Sequence, residues 1–101
     1  LQFMLKLLTL EDFVPFVNTT FSAALTAGNT EFVLVEASPL PAPPKAQLMR
    51  APFSLLFRSA AAVLFPQQTY TVRHSVIGEF ALFLVPVAQE RDGFIYQAVF
   101  N

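Results

Sequence analysis

The stretch TYTVRHSVIGEFALFLVPVAQERDGFIYQAVF, residues 69–100, decides the fold. At its start Tyr70, Val72 and His74 alternate with Thr69, Thr71 and Arg73. A period of two belongs to a strand with one face turned to a core. Residues 75–78 then turn, and residues 79–87 read as a strongly apolar strand. Residues 89–93 form a polar loop with an Asp92-Gly93 turn signal, and residues 94–100 read as a further strand. Three consecutive strands on short loops make an antiparallel meander.

Working outward, residues 52–59 continue the same pattern, with Phe53, Leu55 and Phe57 on one face. Ala60-Ala61-Ala62 either extends that strand or makes a helical turn before Pro66, and Gln67-Gln68 turns into the meander. Upstream, Phe21, Ala23 and Leu25 face one way and Thr20, Ser22 and Ala24 the other. After the turn signal Ala27-Gly28-Asn29, residues 31–37 place Phe32 and Leu34 opposite Val33 and Val35, completing a hairpin. Residues 38–50 break the alternation with Pro39, Pro41, Pro43 and Pro44, which supply no N–H to a ladder. That segment is expected to be extended and exposed, with polyproline II character. Pro41 and Pro44 have the spacing read by proline-recognition domains, although a rigid interstrand loop is the simpler reading.

A single helix signal precedes the strands. Thr9 stands at an N-cap position, Glu11 and Asp12 fall in the first turn, and Phe13, Phe16 and Val17 share a face. Pro15 restricts the helix to a turn or two within residues 10–17, where it would plug one end of the β structure. The whole chain, residues 1–101, therefore reads as a single, mainly β domain. Its expected architecture is an antiparallel barrel or sandwich of about six strands with one short N-terminal helix.

Composition narrows the function. Charged residues make up 13% of the chain against an average of about 25%, while 54% is hydrophobic and twelve residues are phenylalanine. Such apolar content offsets chain entropy and rules out intrinsic disorder. The basic residues Lys6, Lys45, Arg50, Arg58, Arg73 and Arg91 are dispersed and net charge is −1, so no basic stripe for nucleic acid is expected. There is no cysteine, hence no disulfide or thiolate chemistry. The longest apolar run, residues 80–88, contains Pro86 and falls well short of the roughly 20 residues a spanning helix needs. Residues 1–10 lack a small-residue cleavage pattern. Met4 reads as an initiator, with residues 1–3 a remnant ahead of it, and a cytoplasmic location is expected.

No catalytic, cofactor or metal site stands out. His74 is the one histidine, and Ser54, Ser59, Ser75 and Glu79 are its candidate partners. None of the serines lies in a nucleophile-elbow context, so a structural histidine at a strand end is the better reading. Glu11 and Asp12 are accounted for by helix capping, and Glu90 and Asp92 by a turn. One histidine without cysteine disfavours zinc, and the three glycines, Gly28, Gly78 and Gly93, each mark a turn rather than a phosphate cradle.

Three segments carry a family resemblance: Leu8-Thr9-Leu10-Glu11-Asp12-Phe13, PFSLLFR at residues 52–58 and EFALFLVPV at residues 79–87. With the ending Tyr96-Gln97-Ala98-Val99-Phe100-Asn101, the chain from about Met4 resembles a family of short bacterial proteins of unknown function. The resemblance implies an association with phage-tail-collar-like genes and brings no catalytic residues. Ser59 and Thr69 stand where members of that family commonly have glycine.

Several strands are apolar on both faces, notably at residues 32–35, 55–57 and 80–85. A strand half-buried in a monomer should carry one polar face, so a second copy or another protein is expected to cover the excess. Leu56, Phe83 and Val85, opposite the faces assigned to the core, are the candidate contact residues, with Arg58 and Arg73 at the rim. The expected function is a non-catalytic, self-associating structural or binding module. The alternatives are a carrier of a small apolar ligand inside a barrel and, further off, a small hydrolase using His74.

Overall fold

The computed structural model describes residues 7–26, 28–42 and 50–101. Six strands close into an antiparallel barrel: β1 (Thr20–Leu25), β2 (Gly28–Pro39), β3 (Phe53–Ser59), β4 (Gln68–His74), β5 (Gly78–Glu90) and β6 (Gly93–Phe100). Their order around the barrel is β1-β2-β3-β6-β5-β4, so two three-stranded meanders meet along the β3–β6 and β4–β1 seams. The choice between barrel and sandwich is thus resolved toward the barrel. Closure removes the free edges that an open sheet of such apolar strands would expose.

The inner face is the one the alternation predicts. Phe21 and Ala23 on β1, Phe32 and Leu34 on β2, and Phe53, Leu55 and Phe57 on β3 are all buried. Tyr70, Val72 and His74 on β4, Phe80, Leu82 and Leu84 on β5, and Tyr96 and Ala98 on β6 complete the core. Aromatic rings meet edge-on across the lumen, Phe21 with Phe57 at 5.3 Å and Phe32 with Tyr96 at 5.3 Å between centroids. Edge-to-face contacts of this kind add about 0.5–1.5 kcal/mol beyond area burial.

One end of the barrel is plugged as expected. Helix α1 (Leu10–Phe13) is followed by a 3-10 turn (Val14–Phe16) rather than continuing as one helix to residue 17. Pro15 cannot supply the N–H that a longer α-helix would need. The Asp12 carboxylate accepts from the Thr9 backbone N–H at 2.8 Å and from Thr9 Oγ1 at 3.2 Å, which secures the first turn. Phe13 is fully buried, with its ring 5.7–6.4 Å from those of Phe21, Phe53, Phe80 and Phe100. Asn18, at a φ of 71°, adopts the left-handed conformation that ends the turn and leads into β1.

At the other end, residues 60–67 connect β3 to β4 and form neither strand nor helix. Two core tyrosines tie this connection down: Tyr96 Oη accepts from the Phe65 N–H at 2.9 Å, and Tyr70 Oη donates to the Pro66 carbonyl. Phe65 packs inward at 6.0 Å from Phe32 and 6.2 Å from Tyr96.

Some strand limits differ from the sequence reading. Strand β2 starts at Gly28, which pairs with Leu25, and runs through Ser38 to Pro39 opposite Phe53. Proline is tolerated there because it is the last residue of the strand. Strand β5 continues to Glu90, so the polar loop shrinks to Arg91-Asp92, closed by the Glu90–Gly93 pair. Bulges interrupt β2 between Leu34 and Glu36 and β5 between Pro86 and Ala88. The second bulge is what lets Pro86 sit within a paired strand. The polyproline expectation for residues 43–49, including half of the P-x-x-P spacing, lies outside the described residues, as does the initiator reading of Met4.

Candidate functional site

The pleat points one set of side chains on β3, β6 and β5 away from the lumen. Across these strands Leu56 pairs with Gln97, which pairs with Val85, so the two expected contact residues flank one glutamine. Leu56 and Val85 are each half-buried, and the Gln97 amide donates to Ser54 Oγ at 3.1 Å. Phe83, two positions back along β5 and opposite Thr69, is 49% exposed. Arg58 is exposed between Val33 and Ile95.

Arg73 stands apart from these four. It lies on β4 between Ser22 of β1 and Glu79 of β5, and its Nη2 contacts Glu79 Oε2 at 2.7 Å. A cross-strand ion pair of this kind is the simplest role for an arginine within a strand. With the Arg73 side chain 67% exposed to screening solvent, the pair adds at most about 1 kcal/mol.

The outer face contains two further apolar side chains that the residue-by-residue reading did not single out. Val99 on β6 is 51% exposed and Val87 on β5 is 48% exposed. Val99 was legible: with Tyr96 and Ala98 inside, the alternation turns Ile95, Gln97 and Val99 outward. Val87 was not, because it falls in the bulge between Pro86 and Ala88, where strict alternation fails.

His74 closes the weakest seam of the barrel. Strands β1 and β4 share only the pairs Ser22–Arg73 and Ala23–Val72, whereas the β3–β6 register runs unbroken from Phe53–Phe100 to Ser59–Phe94. The His74 ring is buried, 4.4 Å from the Phe21 ring and 4.8 Å from the Phe16 ring between centroids. Its Nδ1 accepts the backbone N–H groups of Val76 at 3.1 Å and Ile77 at 3.3 Å, which shapes the β4–β5 turn. That acceptor role assigns the proton to Nε2, 3.0 Å from Thr19 Oγ1. The Thr19 hydroxyl in turn donates to the Phe16 carbonyl at 2.6 Å. One imidazole thus joins the plug, the start of β1 and the end of β4. Burial pushes its pKa below the ordinary value of 6.5, favouring the neutral ring.

Beside this clasp, an open cleft of about 510 Å³ is lined by Thr20, Ser22, Glu31, Arg73, Ser75 and Glu79, among others. Among the described residues no cluster of three or more histidines and carboxylates could hold a metal ion, and no helix is long and apolar enough to cross a membrane.

No curated protein and no solved structure matches the chain significantly. A family model does, across residues 8–100, from just before the plug helix to the last residue of β6. The chain therefore belongs to the family described as a domain of unknown function, DUF6916.

Proposed function

We propose that this barrel is a non-catalytic structural module that associates with a second copy of itself through the outer face of β5 and β6. The observation that carries the reading is the clustering of Phe83, Val87 and Val99, each close to half exposed, on two adjacent strands beside half-buried Leu56 and Val85. Contiguous apolar surface of this sort is what associating proteins cover. None of these five side chains is charged, so a two-fold pairing of the face with itself brings no like charges together, and Arg58 is left at the rim.

The other readings have less support. Phenylalanine and tyrosine rings at contact distance across the lumen favour a filled barrel over one that carries an apolar ligand. Both ring nitrogens of His74 are committed to Thr19 and the β4–β5 turn, which favours a structural over a hydrolytic role. A bacterial module near phage-tail-collar-like genes is the setting the family resemblance implies, and a self-associating barrel suits such an assembly; a cytoplasmic location is a separate part of this reading.

Light scattering at tens of micromolar should return a dimer or larger species. Phe83→Lys and Val99→Lys should each dissociate it while leaving the far-ultraviolet circular dichroism unchanged. A strict monomer for the unaltered chain at that concentration overturns the reading.

A further inference from the structure

Gln97 sits at the centre of the outer apolar face. Leu56 on β3 and Val85 on β5 flank it across the ladder, and Ile95 and Val99 lie two residues to either side of it along β6. An amide ringed by four aliphatic side chains still needs partners for its donors and its acceptor. Its Nε2 gives one N–H to Ser54 Oγ, the side chain's one hydrogen bond among the described residues. The second N–H and Oε1 remain. Among the described residues the one buried side-chain oxygen or nitrogen without a partner is Glu79 Oε1, so Gln97 Oε1 stays within reach of a molecule seated on this face.

Charge is also arranged about β6. Arg58 on β3 pairs with Ile95 of β6, and on the other side Ala88 of β5 pairs with the same Ile95. Two residues beyond Ala88, Glu90 shares that outer face and pairs with Gly93. A cation and an anion thus stand on opposite sides of the same end of β6. Both are exposed, and among the described residues neither forms an ion pair.

Resting on the self-association put forward above, we propose that two copies meet about a two-fold axis running along β6, with their Gln97 amides paired across it. A face that pairs with itself returns the same group to the axis. An amide suits that place, because each copy donates its free N–H and accepts at Oε1, whereas a lone donor or acceptor would meet its like. Stacked sheets stand about 10 Å apart, a gap that two glutamine side chains span. Rotation about β6 exchanges its flanking strands, so Leu56 lies over the partner's Val85 and Arg58 comes beside the partner's Glu90. An axis across the strands would turn Arg58 toward the partner's Ser54 and leave both charges unmatched. Charge complementarity therefore selects the axis and makes a second copy the occupant of this face.

The test is sedimentation equilibrium at pH 7.5 of the unaltered chain, of Arg58→Glu, Glu90→Lys and Gln97→Glu, and of an equal mixture of the first two variants, each checked for folding by circular dichroism. Arg58→Glu or Glu90→Lys alone sets like charges against each other twice and should weaken the dimer about tenfold. Their mixture unites opposite charges at both contacts and should form a heterodimer within about threefold of the unaltered affinity. Gln97→Glu opposes two carboxylates at the centre and should weaken the dimer about a hundredfold. The chain has no cysteine, so Val99→Cys adds one thiol per copy on the axis. A short bismaleimide should join two copies there, but not through Thr71→Cys on β4. A dimer unaffected by Gln97→Glu, or a mixture no tighter than either variant alone, overturns this arrangement and leaves self-association standing. A strict monomer for the unaltered chain overturns both.

Discussion

Mild acidification should open this barrel at the β1–β4 seam. In the folded chain, burial lowers the His74 pKa below 6.5, and Nδ1 is already occupied by two N–H donors, so a second proton finds no acceptor there. The unfolded chain takes up that proton at the ordinary value. Below pH 6.5 the unfolded state therefore binds more protons than the folded state, and stability falls as pH falls. The contribution is fully present above the unfolded value and is lost on descent toward the folded one. For one group this linkage reaches at most about 1.4 kcal/mol between pH 7.5 and 5.5. For a domain of this length that corresponds to a melting temperature lower by roughly 6–11 °C. Urea unfolding at pH 7.5, 6.5 and 5.5 measures it, with His74→Gln as the control, since glutamine retains polar atoms but does not titrate. A wild-type free energy that stays flat over this range, or a His74→Gln protein with the same pH dependence, would refute the account of His74 as a neutral clasp.

Two other substitutions test the packing. Gly93 has a φ of 145°, and a Cβ built there would lie 1.8 Å from the Ser59 carbonyl oxygen. Gly93→Ala should thus cost about 3 kcal/mol or more, or prevent folding, as judged by chemical denaturation and soluble yield. Arg50 donates to the Leu8 carbonyl at 2.7 Å and to the Asn101 carbonyl at 3.3 Å, and lies 5.1 Å from the centre of the Phe100 ring, itself stacked on Phe53. Arg50→Ala should lower stability by about 1–3 kcal/mol and speed hydrogen exchange in α1, whereas an unchanged melting temperature would mean that the clamp is inert.

Much of the barrel is written locally. In residues 69–74 the alternation of Tyr70, Val72 and His74 with Thr69, Thr71 and Arg73 sorts inside from outside without reference to the rest of the chain, because a pleat turns successive side chains to opposite faces. The plug is equally local: Thr9, Asp12 and Pro15 together start a helix and stop it within two turns. The excess apolar surface was visible too, since Phe83 and Val85 alternate with buried Leu82 and Leu84 on a strand with no polar face.

Other features depend on long-range closure. Nothing near Ser22 announces that Arg73 lies beside it, and nothing near Thr19 announces a hydrogen bond to His74, 55 residues away. Strand order is settled by how two meanders bury their inner faces together, a question of volume and ring packing that no short window contains. The bulges at Val35 and Val87 likewise arise from fitting neighbouring strands around a curved wall, and each reverses the side-chain parity beyond it. The strands and their inner faces follow from chain-local chemistry, while the seam, the clasp and the cleft exist only because the ring is closed.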